Sequence, residues 1–159
     1  MRHFEDFVIG ERWEIDADYE MTRDEIVSFA SKWDPQSFHI NDEAAKRSVH
    51  GVLTASGTHT QAVVLLLAAK LPHVTAIIGA IGYDEVRFPK PVRLGDRLRL
   101  AIECIEKRES ASKPDRGVVK NRHTLTNQNG EIVFTQVTTL LIKRRARTEN
   151  LKDPARPSP

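Results

Sequence analysis

The sequence predicts an α+β domain in which an antiparallel sheet wraps around one long central helix, and three observations carry that expectation. Residues 52–71 form the longest helical stretch, and its second half, AVVLLLAA, is apolar on every side; a helix with no polar face belongs in an interior. Four later stretches, 74–86, 97–107, 118–127 and 131–143, are rich in Val, Ile, Leu and Thr with partial alternation, and each is bounded by Gly, Pro, Asn or Asp. That is strand chemistry. Between the last two, Asn127-Gln128-Asn129-Gly130 suits positive φ and joins them as a hairpin. Curling the sheet around the helix is the economical way to bury all of its faces.

The elements follow in order. Residues 11–21 alternate irregularly and read as a first strand. Thr22-Arg23-Asp24-Glu25 has the form of a capping box and starts a helix. Ile26, Phe29 and Ala30 share one face of it, and it ends near Trp33 because Pro35 pushes Asp34 out of helical dihedrals. Residues 34–41 are a loop, followed by a short helical turn over 42–47. The long helix runs from Gly51 or Val52 to Leu71. After Ile142 polar residues and prolines replace the apolar pattern, so the domain occupies residues 1–145 and a loose, flexible tail occupies 146–159.

Composition narrows the function. The 159 residues carry 24 Lys and Arg against 22 Asp and Glu, a formal net charge of +2, which leaves no excess of positive potential to hold nucleic acid. The single cysteine, Cys104, makes neither an internal disulfide nor a multi-cysteine zinc site, which fits a reducing, cytoplasmic setting. The N-terminal MRHFEDFVIG has no apolar core of a signal peptide. The longest apolar run, 62–69, is far short of the roughly 20 residues that span a bilayer, so no membrane partner is expected.

The chemistry concentrates in two stretches. WDPQSFHIND places Asp34 and His39 five residues apart in a proline-opened loop. If the loop folds back, carboxylate and imidazole face one small volume, bind a water and move its proton; if it does not, Asp34 caps a turn and His39 sits half exposed. VHGVLTASGTHT puts Gly51 at the expected start of the buried helix, where unpaired N–H groups can receive a carbonyl oxygen that gains charge. A tight turn is the competing role for this glycine. His50, Ser56 and His59 lie nearby as pocket candidates, with back-bonding to the preceding turn the alternative for Ser56 and a core position the alternative for His59. Arg87, Lys90, Arg93, Arg97 and Arg99 belong either to a phosphate-binding rim or to a solvated strand face, and the basic run 143–147 reads as a solubilising end.

With these residues in view, the chain resembles the MaoC-like, (R)-specific enoyl-CoA hydratases of the hot-dog superfamily. DPQSFHIND, HGVLTASG and VRFPKPVRLGD are similar to three of its stretches in the same order, and the likeness covers roughly residues 4–145. The resemblance implies a hot-dog fold and a lyase of fatty acid metabolism acting on a trans-2-enoyl thioester of coenzyme A or an acyl carrier protein. It implies that Asp34 and His39 activate one water, that the Gly51 N–H receives the thioester oxygen, and that the product is a (3R)-3-hydroxyacyl thioester. Arg87, Lys90 and Arg93 are its candidates for the coenzyme phosphates. It implies no metal and no cofactor beyond the thioester itself, and a homodimer or higher homo-oligomer. Two departures stand out: the best-known members carry a serine near the catalytic pair where this chain has His59 or Ser56, and the loop between His39 and Gly51 is short. A hot-dog thioesterase is the rival enzyme, opposed by the absence of Asp and Glu from residues 52–71. A non-catalytic acyl-thioester binder is the rival of another class.

Overall fold

The computed structural model describes residues 1–15 and 17–146; the expected tail lies outside them except for Ala146. β4 (Arg97–Glu109), β5 (Arg116–Thr126) and β6 (Ile132–Lys143) pair antiparallel in chain order. β3 (Ile77–Arg87) joins the far side of β6, and β1 (Arg12–Glu14) the free side of β4, so the sheet runs β1-β4-β5-β6-β3. The single strand expected over 11–21 is two short ones, because β2 (Tyr19–Glu20) pairs separately with the start of β4. The predicted hairpin forms at Gly130 (φ 74°), with the Asn127 carboxamide oxygen accepting from the N–H groups of Asn129 and Glu131.

α1 (Arg23–Trp33) starts at Thr22, whose hydroxyl oxygen accepts from Glu25 N–H and whose O–H donates to the Glu25 carboxylate at 2.9 Å. It ends at Asp34, which has left helical dihedrals (φ −156°, ψ 71°), as the following proline requires. The expected loop over 34–41 is partly helical: α2 (Ser37–Ile40) and α3 (Asp42–Arg47) follow, the second capped by the Asn41 side chain on Ala44 N–H.

α4 (Gly57–Ala68), the central helix, begins six residues after Gly51. The reason lies in residues distant in the chain. Residues 53–55 are extended and pair with 92–94, Ala55 N–H donating to Val92 and Leu94 N–H to Leu53 at 2.8 and 2.9 Å, so Ser56 is the first residue free to cap a helix. Val63, Val64 and Leu67 are buried with Leu98, Leu100, Leu125 and Phe134 of the sheet. The expectation that α4 is buried all round is corrected: Leu65 and Leu66 are 48% and 47% exposed, and beside them the edge strand β3 leaves Ile77, Ile81 and Tyr83 uncovered.

A short 3-10 turn, Phe4–Asp6, closes the opposite flank by laying Phe4 on Gly117 of β5. Here the N-terminal turn meets the end of β6: Arg144 and Arg145 pair with Glu5 and Asp6 at 3.0 and 2.6 Å.

Candidate active site

The bend between α1 and α2 brings the two expected catalytic groups together. The His39 ring is buried against Phe38, and its Nδ1 lies 2.6 Å from the Thr54 carbonyl oxygen. A carbonyl only accepts, so Nδ1 carries the proton and the neutral ring keeps its lone pair on Nε2. Nε2 faces the Asp34 carboxylate at 3.8 Å. That is too long for a direct hydrogen bond; a water about 2.8 Å from each atom would bridge them. Asp34 is itself held, its N–H donating to Ala30 and its carbonyl accepting from Gln36 N–H.

All three of the motif stretches reach the same cavity of about 360 Å³. Phe38 and His39 line it from the loop, His50, Thr54, Gly57 and Thr60 from the approach to α4 and its first turn, and Phe88, Lys90 and Val92 from the segment after β3. The other candidates separate. Gly51 is exposed in a left-handed turn (φ 70°) with its N–H donated to Ser48 at 3.2 Å; the expectation that it opens the central helix is corrected, since the extended residues 53–55, bridged to Arg93 through Thr54, intervene. Gly57 has taken that place, at the first turn of α4, where N–H groups lack intrahelical acceptors. Ser56 caps α4 through His59 N–H. His59 turns away to stack on Phe29 of α1, with ring centroids 4.4 Å apart. Burial lowers its pKa, partly opposed by Glu25, and its Nδ1 has no hydrogen-bond partner among the described residues.

Of the basic candidates, Lys90 reaches the cavity rim, where its ammonium is paired with Glu131. Arg87 is exposed and donates to the Val86 carbonyl, and Arg93 is exposed. Sequence reasoning missed Thr54, whose contribution is a backbone carbonyl with no sequence signature, and also missed Gly57 and Thr60. Among the described residues no cluster of three or more His, Cys, Asp or Glu is arranged to hold a metal ion, and no helix is long and apolar enough to cross a membrane.

An antiparallel sheet packed on one central helix, with a carboxylate at the end of α1 and an imidazole on α2 brought together by the bend between them, defines a hot-dog protein with a polar site. Rv0216 from Mycobacterium tuberculosis, which has a double hot-dog fold, superposes with a TM-score of 0.76 over 92% of this chain and 45% of its own, at 13% identity. The (R)-hydratase PhaJ1 from Pseudomonas aeruginosa matches with a TM-score of 0.72 over 89% of this chain and 86% of its own, at 22% identity; identities this low speak for the fold alone. A MaoC-like dehydratase from Rhodospirillum rubrum is 34% identical, with a TM-score of 0.84 over 92% of this chain and 99% of its own. The family model described as MaoC like domain matches residues 6–127, and the chain belongs to the MaoC-like family. Membership supports a hydratase or dehydratase role in general.

Proposed function

We propose that this protein adds water to, or removes it from, a trans-2-enoyl thioester of coenzyme A or an acyl carrier protein, giving a (3R)-3-hydroxyacyl thioester. The observation that carries the reading is the His39 tautomer, fixed by Thr54, with its free Nε2 set 3.8 Å from Asp34. In the forward direction His39 Nε2 takes a proton from the shared water as its oxygen bonds to C3. The C2–C3 π pair moves toward the thioester carbonyl, and as it returns the proton that His39 took passes with the help of Asp34 to C2, closing the C2–H bond and leaving both side chains as they began. The enolate oxygen that forms needs a donor. The resemblance assigned it to Gly51, whose N–H is already donated to Ser48; we assign it to the Gly57 N–H, which belongs to a residue lining the cavity. One such donor lowers the barrier by about 3 kcal/mol. No metal and no cofactor beyond the thioester enters this scheme.

Lys90 at the rim would exchange its pair with Glu131 for a coenzyme phosphate, with the exposed Arg87 at the end of β3 and Arg93 on the segment after it as further partners. A homodimer fits the uncovered β3 edge and the Leu65 and Leu66 flank of α4, since a second copy would pair the one and cover the other. The buried free thiol of Cys104 suits a cytoplasmic setting.

Incubation of the purified protein with crotonyl-CoA tests the reading. Loss of the conjugated enoyl absorbance without thiol release supports hydration. Thiol release would make the protein a thioesterase, which the lack of any Asp or Glu in α4 opposes, and binding without turnover would make it a carrier.

A further inference from the structure

Phe88 holds a place that neither the core nor the hydration scheme accounts for. It is 51% exposed, yet its ring lines the cavity together with His39, Thr54 and Gly57. The ring leans on Phe134, with centroids 5.1 Å apart at 60°, and its tip presses on the first turn of α4. A Cβ at Gly57 would stand 2.9, 3.1 and 3.5 Å from Phe88 Cζ, Cε1 and Cε2, and the first of these is closer than carbon atoms pack.

Three features of the chain maintain this approach. Gly57 is not among the glycines with positive φ, and alanine is the better residue in a helix; what the glycine supplies is room for the ring. The end of β3 is bent by a register shift between Asp84 and Arg87, where Glu85, a residue with a Cβ, takes a left-handed φ of 51°. Pro89 and Pro91 restrict the chain just beyond the ring. Burial does not explain so much local constraint, because half of the ring stays in water.

The group beneath the ring does explain it. The Gly57 N–H lies in the first turn of α4 without an intrahelical acceptor, and a hydrogen bond to developing charge is stronger where water is kept away. We propose that Phe88 is a positioning residue of the site, an apolar cover that shields the Gly57 amide from water and confines the thioester oxygen against it. This rests on Gly57 as the donor to the enolate in the hydration reading. Phe88 itself moves no proton and acts through that amide.

Steady-state kinetics with crotonyl-CoA and the ionisation of bound acetoacetyl-CoA, followed by the ultraviolet absorbance of its enolate, test the cover together. Phe88→Ala should lower kcat about tenfold, less than the roughly hundredfold that loss of an oxyanion donor costs, with KM little changed. Phe88→Leu, which keeps an apolar side chain, should restore most of the loss. Gly57→Ala retains the N–H but lifts the ring, so it should show the same loss, and the double variant should lose no more than either single one. Acetoacetyl-CoA bound to the parent should form its enolate at lower pH than the free thioester, and Phe88→Ala should move that ionisation back toward the free value. Parent-like kcat and enolate ionisation in Phe88→Ala, or a loss that Phe88→Leu does not restore, overturns the proposal. Cover and hydration fail separately. Hydration of crotonyl-CoA by Phe88→Ala at the parent rate removes the cover and keeps the hydration. A parent inert toward crotonyl-CoA that still ionises acetoacetyl-CoA in a Phe88-dependent way removes the hydration and keeps the cover.

Discussion

Gly117→Ala isolates the closest approach in the fold. A Cβ at this position would stand 2.2, 2.3 and 2.6 Å from Cδ2, Cε2 and Cγ of Phe4, whereas carbon atoms pack at roughly 3.5–4.0 Å. The ring must move by more than about 1 Å, and it has nowhere to go. It is 6% exposed, packed with Phe7, Cys104, Val119 and Ile142, and roofed by the Lys107 ammonium 4.7 Å from its centroid. Expelling a buried phenylalanine costs about 3–5 kcal/mol. The ion pairs that also hold this turn, Arg144 with Glu5 and Arg145 with Asp6, are partly exposed and resist little. We expect Gly117→Ala to lower unfolding free energy by about 3 kcal/mol, read by urea denaturation at fixed protein concentration. In a Phe4→Ala background the same change should be neutral or stabilise by about 0.5 kcal/mol, the gain from replacing glycine in a strand. An equal loss in both backgrounds would show that Phe4 does not press on Gly117, and the packing account of the N-terminal turn would fail.

Other outcomes follow from the site and the sheet. His39→Asn keeps a donor for the Thr54 carbonyl but removes Nε2, and Asp34→Asn removes the charge facing it; each should lower turnover of an enoyl thioester about a hundredfold or more while melting cooperatively, and near-parental rates in both would end the mechanism. His123 has its pKa lowered by burial from 6.5 to about 4, so the unfolded chain binds the proton more readily. Stability is full above pH 6.5, falls as pH drops toward 4, and loses about 3 kcal/mol in all from this group; His123→Leu should flatten that part of the pH profile in chemical denaturation, and an unchanged slope would refute the assignment. Ile81→Lys on the open face of β3 should yield a monomer by sedimentation where the parent is a dimer, and a monomeric parent would remove the dimer reading.

How much was legible depended on how local the cause was. α1 could be read because Thr22, Glu25 and Pro35 fix its two ends within a few residues, and the last hairpin because Asn127 and Gly130 carry its turn chemistry on their own side chain and backbone. Asp34 and His39 could be picked out by type and spacing, but what orients the ring is a main-chain oxygen at Thr54, and any residue there supplies one. The start of α4 was misplaced because residues 53–55 take their conformation from 92–94, some forty positions on. The block of Asn121, His123, Gln136 and Thr138 went unremarked because each residue alternates properly with its strand neighbours; only the register reveals that the four adjoin.

The contacts of Glu5 and Asp6 with Arg144 and Arg145 bring the start of the folded body within side-chain reach of its finish. Connectivity can therefore be rewired without disturbing the sheet. A circular permutant that joins these ends through a short Gly/Ser linker and opens at the exposed Asn129-Gly130 turn would preserve every strand pairing and move the new termini to the opposite rim.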